Sequence, residues 1–206
     1  YLREGVKWSD GEPFGADDIL SYYEDGLLNE NLFPTYPDLL RDPHNAGQSI
    51  EKVDDYTVVF TFGSPYGLFV QALAANQGAE MYQWPKHYVA QFHPNHTAME
   101  DLDSKIREAG FTNWWELFSN KRNWKNPDLP CLMAWKPVQV PPSVPVVWER
   151  NPFYWKVDPE GQQLPYIDSV WLDIVENADL LNMKAVAGEI DCQFRHITWT
   201  NYPLFI

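Results

Sequence analysis

The chain is 206 residues long and 45% hydrophobic, which is enough apolar material for one sizeable core or two small ones. It carries 29 acidic side chains against 15 lysines and arginines, a net charge of -14, so nucleic acids and anionic lipid surfaces are not expected partners. The sequence contains no apolar run of about 18 residues, which excludes a membrane-spanning helix.

The first predicted elements are a strand and a helix joined by a tight turn. Leu2 to Trp8 is predicted to be a short strand, and Asp10-Gly11 after it is a strong turn signal. A helix is predicted from Ala16 to about Leu28, because two aspartates place negative charge in its first turn. Gly15 precedes this helix, so a side-chain N-cap is missing.

Hydrophobic spacing predicts the next elements. Tyr56 to Phe62 alternates between apolar and polar residues, as a half-buried strand does. Tyr66 to Ala75 is apolar at helical spacing and is predicted to be a helix that packs on that strand. Two further helices are predicted over Met99 to Ala109 and Trp114 to Asn120, the first ending at a glycine and the second N-capped by a threonine or an asparagine.

From residue 135 onward the pattern returns to alternating strands and helices. The first stretch contains four prolines, so only Val144 to Glu149 is predicted to be a regular strand there. Ser169 to Val175 alternates and is predicted to be another strand. A helix is predicted from Asn177 to Val186, ended by Gly188, and a short last strand from Ile190 to Phe194.

Four motifs occur in order over nearly the whole chain: Leu2–Ile19, Glu51–Phe62, Glu149–Lys156 and Ala187–Asp191. Together they resemble the signatures of family 5 of the bacterial extracellular solute-binding proteins. Members of this family capture peptides, oligosaccharides or metal chelates for ABC importers. One such motif would be weak evidence, but four in sequence favour the family, although they leave the ligand open.

The resemblance implies an α/β fold, mixed with α+β elements, that forms part of a type II periplasmic-binding-protein lobe. We expect a small α+β lobe over residues 1–88, a helical insertion over 89–134, and part of the main ligand-binding lobe over 135–206. Family members are longer than this chain, so we expect an excised portion without the N-terminus and the C-terminal lobe.

The same resemblance implies where the full-length protein acts and with what. It would be a monomer outside the cytoplasm, held there by a lipid anchor, and would dock on the membrane subunits of an ABC permease. Neither a cofactor nor a metal is expected.

The ligand site is predicted from the same resemblance, because residues just beyond the Gly188 turn line the cleft in the family. This places Phe194, Arg195 and His196 at the site. The planar guanidinium of Arg195 is suited to a carboxylate or a pair of sugar hydroxyls, and His196 can donate or accept a hydrogen bond. The alternative is an ordinary strand end with solvated charges.

Tryptophan is abundant, at 10 residues, and a flat ring can stack on a sugar or a peptide side chain. Most aromatic residues are nevertheless expected in the core. Trp135 is selected as a ligand residue, because it follows the predicted insertion where the chain re-enters the main lobe. Trp8, Tyr154 and Trp155 lie inside the family motifs and are interpreted as packing residues.

Two other residue pairs are considered, one for a disulfide and one for a metal site. Cys131 and Cys192 lie 61 residues apart and form either a disulfide or two small buried thiols. His93 and His96 are three residues apart, but the sequence offers no cysteine or acidic partner at a convincing ligand spacing. The sequence therefore predicts no metal site there.

Two classes of function remain at this stage. The first is a binding protein without catalytic activity, which holds an oligosaccharide or oligopeptide in a cleft between two lobes. The tryptophan content and the insertion favour an oligosaccharide. The alternative is a glycoside hydrolase, suggested by the acidic, tryptophan-rich composition, but such an enzyme needs two facing carboxylates and no pair can be selected from the sequence.

Overall fold

The computed structural model describes residues 1–44, 46–74, 78–193, 195–196 and 199–205, and over these residues the fold is mixed α/β, as predicted. None of the helices in these ranges has the length and apolar character needed to cross a bilayer. The α-helices are α1 (Ala16–Ser21), α2 (Phe69–Leu73), α3 (Lys86–Val89), α4 (Met99–Glu108), α5 (Trp114–Lys121) and α6 (Ala178–Val186), and the strands are β1 (Gln48–Asp54), β2 (Thr57–Phe62), β3 (Trp135–Gln139), β4 (Val146–Arg150) and β5 (Ser169–Leu172). Further helical turns are Asp38–Leu40, Gly78–Gln83, Ala90–Phe92 and Trp199–Leu204.

The prediction of a strand from Leu2 to Trp8 is wrong. A single bridge, between Lys7 and Pro13, forms in this segment instead of a strand. Gly5 adopts a φ of 79°, and the turn that it makes with Glu4 interrupts the extended backbone. The Asp10-Gly11 turn is confirmed, because the backbone N–H of Gly11 donates to the Trp8 carbonyl at 2.9 Å.

The first helix is confirmed and continues beyond α1 as a π-helical segment, Tyr22–Leu27. Its missing N-cap is replaced from within, since a carboxylate oxygen of Asp18 accepts the N–H of Gly15 at 3.0 Å. The other oxygen of Asp18 accepts the backbone N–H of Lys86 at 2.9 Å. Asp18 also accepts the indole N–H of Trp8 at 3.3 Å, so one buried carboxylate joins three separate segments.

Asp18 is the first of three buried polar side chains on this helix, and the others are Ser21 and Asp25. The indole N–H of Trp84 donates to Ser21 Oγ at 3.2 Å. The side-chain amide of Asn95 donates to Asp25 Oδ1 at 2.9 Å. These three residues, which we call the polar row, therefore hold the segment from residue 84 to residue 96 against the helix.

The strand predicted over Tyr56 to Phe62 is confirmed as β2, which pairs antiparallel with β1 in a hairpin. The helix predicted over Tyr66 to Ala75 is shorter than expected. Of the described residues in that range, only Phe69–Leu73 are α-helical. This helix packs on the hairpin as expected, with the ring of Phe69 4.8 Å from that of Phe62 and 5.1 Å from that of Phe60, measured between centroids.

The two helices predicted in the insertion are confirmed as α4 and α5. The turn after α4 contains Gly110, whose φ is 76°, and the residue before α5 is Asn113, whose N–H donates to Glu116 at 2.9 Å. Buried side chains of both helices belong to the same apolar core as Trp8, Tyr22 and Trp84. The helices predicted as an insertion therefore share one core with the N-terminal part, while the domain boundaries remain predictions.

A second sheet contains β3, β4 and β5, all antiparallel, with β4 in the centre. The predicted strand Val144 to Glu149 is confirmed as β4, but the expectation that prolines exclude a strand before it is wrong. Pro137 lies within β3, opposite Trp148. The sheet tolerates this proline because β3 is an edge strand and its register shifts between Pro137 and Gln139.

The C-terminal predictions hold in part. The predicted strand Ser169 to Val175 forms only over β5, and α6 begins after Asn177, whose side chain accepts the N–H of Leu180 at 2.9 Å. Gly188 ends that region with a φ of 74°. The prediction of a last strand is wrong for residues 190–193, which form no strand, and Phe194 lies outside the described residues.

Replacing Asp18 tests whether the polar row holds the fold together. We expect Asp18→Ala to lower the free energy of unfolding by about 2–4 kcal/mol at pH 7, because the buried indole N–H of Trp8 and the partly buried N–H groups of Gly15 and Lys86 lose their acceptor. Urea denaturation followed by tryptophan fluorescence measures this loss.

Asp17→Ala is the matched control, since Asp17 is the neighbouring helix residue and makes an exposed ion pair with Lys52. We expect a much smaller loss from it. Equal losses in the two variants would show that the polar row does not stabilise the fold.

Candidate functional site

A cleft of about 1080 Å³ is lined by residues from separate stretches of the chain. The N-terminal segment and β2 contribute Leu2, Val58 and Phe60, among others. The chain from Arg122 to Trp135 and the β3–β4 sheet contribute much of the rest. A concave, largely apolar site of this kind with a few polar groups is the usual form of a small-molecule binding site.

Five aromatic side chains between residues 124 and 155 line the cleft, and we call them the aromatic wall: Trp124, Trp135, Trp148, Tyr154 and Trp155. The rings of Trp124 and Trp148 are nearly parallel, with an angle of 16° and 6.0 Å between centroids. Trp124 is 47% exposed and Trp155 is 37% exposed, so these rings are available to a ligand. A surface of flat rings offers a large contact area at a low cost in side-chain entropy.

The predicted ligand residue Trp135 lies in this aromatic surface. It begins β3, and its indole N–H donates to the carbonyl of Ile167 at 3.0 Å. That hydrogen bond fixes the ring at the edge of the cleft. Trp135 therefore lies among the residues that line the cleft, and its contact with a ligand remains a prediction.

Charged side chains at the cleft are mostly cationic, although the chain as a whole carries a net charge of -14. Arg3 and Lys156 both lie over the ring of Trp155, each 5.0 Å from its centroid. Arg122 lies 4.8 Å from the Trp84 ring, and Glu80 is the one carboxylate among the described cleft-lining residues. Burial lowers the pKa of Arg122 and Glu80 opposes this, but a guanidinium remains charged at neutral pH.

A buried asparagine in the third motif positions the aromatic wall. Asn151 is fully buried, and its amide nitrogen donates to the carbonyl of Met133 at 2.9 Å. Its backbone N–H donates to the carbonyl of Ala134, and its side-chain oxygen accepts the N–H of Phe153, both at 2.9 Å. Asn151 thus joins residues 133 and 134, which precede Trp135, to residues 151–153, which precede Trp155.

The other predicted site residues lie elsewhere. Arg195 and His196 are exposed and are not among the residues that line the cleft. His196 has a φ of 65°, in the left-handed region. Phe194 is outside the described residues. Of the predicted residues that the structure describes, it brings Trp135 alone into the cleft.

The sequence analysis missed most of the aromatic wall. Trp155 was interpreted as a packing residue from its place in a motif, but it is exposed at the cleft. Trp8 was interpreted in the same way and is fully buried. Trp124 could have been selected from the sequence as a large ring within a polar loop. Trp148 lies on β4 opposite the edge strand that contains Pro137, a position that the sequence did not show.

The model of one protein family, the bacterial extracellular solute-binding proteins, family 5 Middle, matches residues 1–205. The chain belongs to this family. The matched range contains the residues of the cleft and of the polar row.

Relatives and solved structures agree with this assignment. A periplasmic alpha-galactoside-binding protein of Rhizobium meliloti (strain 1021) is 34% identical over 93% of the chain. An oligopeptide-binding protein OppA is 41% identical with a TM-score of 0.86 over 100% of the chain. The periplasmic binding protein MelB of agrobacterium fabrum C58, solved in complex with stachyose, is 32% identical with a TM-score of 0.65 over 91%. The chain spans 25%, 32% and 26% of these three proteins, respectively.

The two cysteines test the structure of the cleft wall, because both are free thiols in different surroundings. Cys131 is half-buried and lines the cleft, and burial raises the pKa of its thiol, whereas Cys192 is exposed. We expect iodoacetamide to modify Cys192 about tenfold faster or more, since the thiolate is the reactive form. Mass spectrometry of the alkylated peptides measures both rates. Equal rates, or a disulfide between the two, would contradict this arrangement.

Proposed function

We propose that this chain, with its aromatic cleft, forms one side of the ligand site in the solute-binding component of an ABC importer, and that another lobe closes over it. The protein would capture an oligosaccharide outside the cytoplasm, close around it and deliver it to a membrane permease. Membership of family 5, together with an aromatic cleft of about 1080 Å³, supports this proposal. A lipid anchor that keeps the protein at the membrane is part of the same proposal.

The aromatic wall favours an oligosaccharide over a peptide. The apolar faces of sugar rings match flat indole surfaces, and cations beside Trp155 can donate hydrogen bonds to hydroxyls. The relatives that are named for alpha-galactoside or were solved with stachyose point the same way. An oligopeptide is the second candidate, because the OppA chain is 41% identical to this one.

Binding without chemical change fits the described part of the cleft better than hydrolysis. Glycoside hydrolysis requires two carboxyl groups, one on each side of the scissile bond. Among the described residues that line the cleft, Glu80 is the one carboxylate. The relatives reported above are binding proteins, so we propose that this protein is not an enzyme.

Phe194, Arg195 and His196 remain proposed ligand residues on the strength of the family resemblance. Arg195 and His196 are exposed, so both are accessible to a ligand held by another lobe. They would add polar contacts at the far end of an extended ligand, while the aromatic wall binds the near end.

A thermal-shift screen of the full-length protein tests the proposed ligand class. We expect stachyose at about 100 times its Kd to raise Tm of the full-length protein by roughly 2 °C, because a ligand that binds only the native state stabilises it. A pentapeptide at the same concentration should raise Tm less. A shift with the peptide alone would replace the oligosaccharide proposal, and release of free galactose would show an enzyme. For this chain tested by itself, we expect weak binding or none.

Substituting one ring of the wall tests the binding surface. We expect Trp155→Ala in the full-length protein to weaken oligosaccharide binding by about 3- to 10-fold in calorimetry, because it removes one stacking contact. Trp199→Ala is the control, since Trp199 is 87% exposed and does not line the cleft. Unchanged affinity in Trp155→Ala would show that the ligand binds elsewhere.

A further inference from the structure

Three ligand-type side chains converge at the end of the polar row, away from the cleft. One carboxylate oxygen of Asp25 lies 2.7 Å from Nε2 of His96, and the other lies 3.9 Å from Nδ1 of His93. The candidate ligand atoms of all three residues are within 4.8 Å of one another. None of the three lines the aromatic cleft.

We propose that Asp25, His93 and His96 bind a divalent transition-metal ion of the zinc type. Two imidazoles and one carboxylate are a donor set that suits Zn²⁺ and its neighbours in the first transition row. The sequence analysis rejected a metal here for want of an acidic partner near the two histidines. The fold supplies one from a position 71 residues before His96.

The ring nitrogen of His93 that faces Asp25 is unprotonated, because Nδ1 accepts the backbone N–H of Asn95 at 3.2 Å. A metal ion bound to Nδ1 would take the place of that hydrogen bond.

The surroundings also resemble the support that metal ligands receive in proteins. Ser21 Oγ donates to Asp25 Oδ2 at 2.7 Å, and the Asn95 amide donates to Oδ1 at 2.9 Å, so the carboxylate is held in place. The ring of His93 packs edge-on against those of Trp114 and Phe118, at 4.8 and 5.7 Å between centroids. Ligands fixed in advance lose little freedom when an ion binds.

Binding would require a small rearrangement. Metal bonds of about 2.0–2.1 Å in a tetrahedral site place ligand atoms roughly 3.3 Å apart. His96 would move slightly away from Asp25, and the proton of its Nε2 would be lost to solvent or transferred to Nδ1. The His96 side chain is 31% exposed, so an ion can enter from solvent and keep a water molecule as its fourth ligand.

The competing interpretation is that this cluster is a hydrogen-bond network with a purely structural role, and Zn²⁺ titration distinguishes the two. The protein is first stripped with a chelator and then titrated against a chromophoric zinc indicator. We expect one Zn²⁺ per chain and a Tm raised by about 5 °C or more. His96→Gln should weaken binding by about tenfold or more while the protein still folds, because His96 is the most exposed of the three ligands.

His87→Gln is the matched control. His87 makes a comparable contact with a carboxylate, 2.8 Å from Asp10, but the described residues place no third ligand beside this pair. The Zn²⁺ affinity of His87→Gln should equal that of the wild type. Co²⁺ should give visible absorption bands in the wild type and in His87→Gln but not in His96→Gln. Failure of the wild type to bind stoichiometrically, or equal binding by His96→Gln, would overturn the proposal.

Discussion

The polar row on the first helix is the constraint on which the rest of the N-terminal part depends. Asp18, Ser21 and Asp25 are buried, and each accepts a hydrogen bond from the segment between residues 84 and 96. A buried acceptor without a donor costs about 1–3 kcal/mol, so the helix and this segment can separate only at a large energetic cost. Close packing adds to the effect, because a Cβ atom on Gly26 would lie 2.8 Å from the Trp84 ring.

This constraint also shapes the proposed binding site. Ser21 accepts the indole N–H of Trp84, and the guanidinium of Arg122 lies over the ring of Trp84. Arg122 is also the first residue of the stretch from 122 to 135 that lines the cleft. Asn151 fixes the later part of that chain. One wall of the cleft is therefore attached to the N-terminal core through Arg122 and to the β3–β4 sheet through Asn151.

Local signals predicted those elements whose residues carry their own structural information. The capped helices α4, α5 and α6 and the alternating strand β2 were predicted from spacing and end signals. The strand β3 was missed because Pro137 is acceptable only at an edge, and a sequence does not show which strand lies at the edge. The turn at Gly5 likewise broke a segment that its hydrophobic pattern favoured as a strand.

The aromatic cleft and the proposed metal site were less predictable than the fold, because each is built from residues far apart in the chain. Asp18 was read from the sequence as a charge at the positive end of a helix, and its bonds to Trp8 and Lys86 could not be seen. Asp25 could not be paired with His96 without the fold. Trp135 was selected from its position after the predicted insertion and lines the cleft, but its role toward a ligand remains a prediction. Exposure alone distinguishes Trp155 from the buried Trp8.

The central claim is that the aromatic cleft of this family 5 chain holds the solute. Hydrogen–deuterium exchange on the full-length protein, with and without saturating oligosaccharide, tests it most directly. The account predicts slower exchange within residues 122–156 on the cleft side, and no change in α6. Protection confined to other parts of the protein, with residues 122–156 unchanged, would contradict it.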